Sequence, residues 1–100
     1  MLARYGMAPT EETPFTIDYS ADLDTGDALN ATRATVTGPD TALTVVYAVY
    51  TENGTNHFSK VMLAASSAAL VGSAYTVTVT TNTVAGRQMV DTFTVKIRAA

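Results

Sequence analysis

Residues 70–97 read LVGSAYTVTVTTNTVAGRQMVDTFTVKI, and this stretch decides the fold class. Tyr75, Val77 and Val79 alternate with Thr76, Thr78 and Thr80. Further on, Phe93, Val95 and Ile97 alternate with Thr92, Thr94, Lys96 and Arg98. Alternation with a period of two belongs to a strand that buries one face. Between the runs lies Val84-Ala85-Gly86-Arg87, where Gly86 can take the positive φ of a tight reversal. The stretch predicts a β-hairpin, and two strands alone are not stable, so the remaining residues must supply a second layer.

Upstream, residues 15–19 (FTIDY) put Phe15, Ile17 and Tyr19 on one face of a strand. A polar loop over residues 20–27 follows, then a threonine- and alanine-rich strand over 29–37, ended by Gly38-Pro39-Asp40. Residues 42–50 (ALTVVYAVY) are apolar on both faces, with Leu43, Val45, Tyr47 and Val49 on one and Val46, Ala48 and Tyr50 on the other. In a domain this small, one of those faces is expected to lie against another molecule. Asn53-Gly54 suits a type I′ reversal, returning the chain as a strand over 57–65. Residues 64–74 hold small side chains and Gly72, which predicts an irregular crossover between sheets and not a helix. About six or seven short strands with turn signals at roughly 8 to 12 residue spacing predict an all-β sandwich. Tyr75, at the start of the penultimate strand, stands where a tyrosine corner caps a backbone group.

Residues 1–14 carry Pro9, Pro14, Glu11 and Glu12 without periodicity, which predicts an extended N-terminal arm ahead of a single sandwich over 15–100. Solvated alone, that arm would be disordered; packed on a neighbouring copy, it would have Leu2, Tyr5 and Met7 to bury. Together with Val46, Ala48 and Tyr50 they are the interface candidates, and the expected assembly is a homo-oligomer.

The 100 residues fit one domain, with 47% hydrophobic and only 15% charged side chains. The net charge is −3, which disfavours nucleic acid and anionic membranes as partners. Six of the nine acids precede residue 28, an asymmetry that suits either the orientation of neighbouring copies or a solvated edge. There is no cysteine, so disulfides, thiolate catalysis and thiolate-bound zinc are excluded. Residues 1–10 hold one Arg and no sustained apolar run, so neither a secretory signal nor a membrane span is expected there.

Asp22, Asp24 and Asp27 flank Gly26 in one loop and could converge on a hard cation, but the spacing is not that of an EF-hand, and a solvated turn is the expectation. His57 is the lone histidine, and with Ser59 or Ser20 it forms no recognisable triad, so no catalytic residue, metal ligand or cofactor is expected. The sequons at Asn30 and Asn53 read as strand and turn chemistry. Tyr47 and Tyr50 could stack on sugars, and more often serve a core or an interface.

The order Thr16-Ile17-Asp18-Tyr19-Ser20-Ala21-Asp22-Leu23, Gly26-Asp27-Ala28-Leu29-Asn30-Ala31 and Ala34-Thr35-Val36-Thr37 is distinctive. Later come Val71-Gly72-Ser73-Ala74-Tyr75-Thr76-Val77-Thr78-Val79, Gly86-Arg87 and Asp91-Thr92-Phe93-Thr94-Val95. Together these motifs resemble small immunoglobulin-like virion proteins of tailed bacteriophages. The resemblance implies an immunoglobulin-like sandwich on the virus particle with no enzymatic role. It would decorate or cement the capsid, or sit in the neck or tail, with the major capsid protein or neck and tail proteins as partners. A different class of function, a module binding carbohydrate or a cell surface through loops 22–27 and 52–56, would use the same fold.

Overall fold

A computed structural model describes residues 2–50 and 57–99. Seven strands form two sheets: β1 (Leu2–Met7), β2 (Glu12–Asp18), β3 (Leu29–Thr37), β4 (Leu43–Tyr50), β5 (Phe58–Ala65), β6 (Ala74–Thr83) and β7 (Gln88–Ile97). One sheet has the order β1-β7-β6-β3 and the other β2-β5-β4, so the all-β sandwich is present and no helix occurs among the described residues.

The β6–β7 hairpin is as its alternation predicts. Tyr75 pairs with Val95 and Val77 with Phe93, all buried, while Thr76 faces Thr94 and Thr78 faces Thr92 on the outer surface. Gly86 has φ +92°, the left-handed conformation its reversal requires. Val77, Val79 and Val95 are fully enclosed against Val61 and Leu63 of the other sheet. Each such side chain contributes about 1.5–3 kcal/mol through its removal from water. At one point the two layers meet through hydroxyls: Ser59 Oγ shares hydrogen bonds of 2.8 Å with Thr32 Oγ1 and 3.2 Å with Thr81 Oγ1. Buried Ser59 and Thr81 and half-buried Thr32 satisfy one another, which offsets their desolvation.

Each passage between the sheets is a loop. Residues 38–42 carry the chain from β3 to β4, and 66–73 carry it back from β5 to β6 as the expected irregular crossover. The Asn53-Gly54 reversal and its sequon lie outside the described residues.

The N-terminal stretch, expected as an extended arm, is paired into the sandwich. Leu2–Met7 is a strand, parallel to β7 with Tyr5 opposite Val95 and Met7 opposite Ile97. Residues 12–14 already belong to β2, which pairs with β5 from Glu12 opposite Ala64 onward. Sequence period could not reveal β1, because an edge strand of six residues with Gly6 inside it shows no sustained alternation. Its pairing is decided by the open edge of β7, where backbone donors and acceptors need partners.

Candidate docking surfaces

The outer face of the β2-β5-β4 sheet carries apolar side chains from neighbouring strands. Which residues of β4 lie there is set by a bulge in that strand. Val45 opposes Leu63 while Tyr47 opposes Met62, so Val46 is the extra residue between them. An inserted residue reverses the alternation beyond it. Before the bulge Leu43 and Val45 point into the core; after it Ala48 and Tyr50 do, opposite Val61 and Ser59.

The expected exposed set Val46, Ala48 and Tyr50 is therefore corrected. Val46 is 53% exposed, but Ala48 packs on the core and Tyr50 is half-buried on the inner face. Tyr47 and Val49 replace them outside, and Val49 is 45% exposed. Across the sheet Tyr47, Met62 and Pro14 align in one row, with Val49, Lys60 and Thr16 in the next. A two-sided apolar strand is the signal that such a surface exists; it does not say which face carries which residue, since the bulge is fixed by pairing with β5.

The arm candidates divide as well. Met7 is fully buried, enclosed by the core of the sandwich. Tyr5 stays 44% exposed and lies edge-on to Phe15 and Phe93, with ring centroids 4.9 and 5.5 Å away. These rings, with Pro14, Thr16 and Ile17, line an open cleft of about 370 Å³ between the edges of the two sheets. Leu2 stands opposite Thr92 in the β1–β7 register.

The acidic loop is put to structural use. Asp27 Oδ1 accepts hydrogen bonds from the N–H of Ala28 at 2.9 Å and of Ala85 at 3.0 Å, pinning the loop to the β6–β7 turn. Arg87 Nη1 donates to the carbonyl of Asp22 at 2.7 Å, fastening the same two loops again. Asp27 turns inward while Asp22 and Asp24 are exposed, and no group of three metal-ligating side chains comes together among the described residues. Ser59 faces Thr32 and Thr81 inside the sandwich, so its hydroxyl is already engaged in the core.

Two tyrosines bind carboxylates. Tyr19 Oη donates to Asp91 Oδ2 at 2.7 Å, and burial pushes the phenol pKa upward, helped by Asp91. Tyr75 Oη donates to Asp40 Oδ1, so its hydroxyl ties β6 to the crossover through a side chain and not through the expected backbone group.

What the fold and these surfaces define is a two-sheet sandwich with an apolar outer face and an aromatic edge cleft, in which several polar side chains hold loops. A family model described as podophage GP4 fiber-tail adaptor protein gp77 matches residues 7–96, and the chain belongs to that family. The match spans β2 through nearly all of β7. It makes the chain a virion component, an accessory of the phage tail. No curated protein matches the sequence.

Proposed function

We propose that this chain is a non-enzymatic adaptor joining a fibre to the tail of a phage particle, acting through its surfaces alone. The observation that carries this is the family match over residues 7–96. Among the positions a virion sandwich could occupy, we take the tail over the capsid surface, with tail proteins as partners and self-association as part of the assembly. The outer-face row of half-buried Tyr47 and Met62, with exposed Val46 and Val49, supports a protein partner, since apolar area without strong charge favours contact with another folded surface.

We also take the sandwich as immunoglobulin-like. Lettered B to G, strands β2 to β7 give one sheet B-E-D and another C-F-G, with β1 added beside G, an arrangement that supports this assignment.

The test is to produce particles in which this chain is withheld and then added back. Particles lacking it are expected to carry tails without fibres, and adding the purified chain restores them. Binding to capsid shells with no affinity for tails, or capture on glycan surfaces as a monomer, would overturn the proposal.

A further inference from the structure

The link between β1 and β2 is under strain. The Ala8 carbonyl accepts from the N–H of Glu11 at 3.1 Å, closing a four-residue reversal with Pro9 second and Thr10 third. Thr10 has φ +67°, the one non-glycine residue described with a positive φ. Proline followed by a positive φ is the pattern of a type II turn, whose third position calls for glycine. A β-branched residue there is a clear outlier. Glu11 helps to close the turn: its Oε2 accepts from the N–H of buried Ala8 at 2.9 Å and from exposed Arg98 Nη2 at 2.8 Å.

What the turn delivers is valuable by contrast. β1 covers the open edge of β7, the carbonyl of Met7 accepts from the N–H of Arg98 at 2.9 Å, and the Met7 side chain is fully enclosed. Every one of these contacts would be the same if β1 came from another molecule of the same sequence. Only the strained link would differ, because an opened link frees Thr10 from its left-handed conformation. Short hinges under strain invite such exchange.

We infer that Leu2–Met7 is an exchangeable strand, and that in the assembled protein β1 of one copy lies beside β7 of a second copy. The occupant of the β7 edge is this segment and no other, because the enclosed site for Met7 and the rings of Phe15 and Phe93 that receive Tyr5 fit its sequence. Exchange thus supplies the self-association of the proposed adaptor. It is independent of the tail and fibre proteins, so its failure would leave the adaptor role standing.

The test uses the full chain and measures native mass across a range of concentrations for the natural sequence, Thr10→Gly and Thr10→Pro. The natural sequence is expected to form oligomers that dissociate on dilution. Glycine accepts φ +67° without strain, so Thr10→Gly should favour the closed monomer by about ten-fold per link. Proline holds φ near −65° and forbids the closed turn, so Thr10→Pro should remain oligomeric at dilutions where the natural sequence dissociates. A natural sequence that stays monomeric at its highest soluble concentration overturns the inference. So do oligomers whose dissociation is the same with Thr10→Gly, since they would be joined by some other surface.

Discussion

The hydroxyl of Tyr75, at the start of β6, donates to the carboxylate of Asp40 in the β3–β4 crossover, linking the core of one sheet to the loop that leads into the other. The bond raises the phenol pKa to about 12 from 10.0 and lowers that of Asp40 below 3.8. Tyr75→Phe keeps the packing and removes the bond, and should lower unfolding stability by about 1 kcal/mol in denaturant titrations. A raised folded-state pKa gives stability that is whole below pH 10 and is lost as pH climbs toward about 12. The phenylalanine variant should lack that alkaline loss.

Gly38 lies beneath the same ring, so closely that a Cβ there would overlap the ring carbons of Tyr75. Tyr75 is buried and cannot swing aside. Gly38→Ala should cost about 1–3 kcal/mol through overpacking. A melting temperature equal to that of the natural sequence would show that the crossover yields.

The bulge at Val46 makes opposite forecasts for adjacent residues of β4. Val49→Glu places its charge in water and should change stability by no more than about 0.5 kcal/mol, while weakening the docking proposed for this face. Ala48→Glu forces a carboxylate toward the core and should cost about 2–4 kcal/mol. Equal effects in thermal unfolding would mean that β4 is not offset at Val46.

Acid should loosen the N-terminal link. Hydrogen bonds from the Ala8 N–H and the Thr13 hydroxyl, with the charge of Arg98, hold the Glu11 pKa below its usual 4.5. A depressed carboxylate pKa gives stability that is present above pH 4.5 and is lost as pH falls through the lower folded-state value. Hydrogen exchange at the β1 amides should therefore quicken below that pH, relative to the base rate at each pH. In Glu11→Gln this acid-dependent component should vanish.

Asp27 is expected to behave as a loop fastener. Asp27→Ala leaves the N–H groups of Ala28 and Ala85 without their acceptor and should lower the melting temperature. Calcium added to the natural sequence should leave the melting temperature unchanged; a rise that Asp27→Ala abolishes would establish a cation site.

Much of the sandwich was legible because burial on one face imposes a period of two. The threonine and valine alternation of β6 and β7, the Gly86 turn and the Gly38-Pro39-Asp40 break are local signals, and each corresponds to the element found. The candidate surface was half legible. An apolar strand on both faces announced that β4 carries apolar side chains outside as well as in, but Val46, Ala48 and Tyr50 do not share a face, since one inserted residue turns everything after it. Tyr47 and Val49 were assigned to the same face as Leu43 and Val45 for the same reason.

By itself the sequence determined that this protein is a disulfide-free all-β domain with an apolar surplus, because those properties follow from composition and from the side-chain period of a strand. Tertiary structure decided that β1 belongs to a sheet, that Met7 is core, that Thr10 carries the strain of the link, and which side of β4 meets the solvent. These depend on which edges are left unpaired and on how two strands come into register, and both are set by residues far apart in the chain.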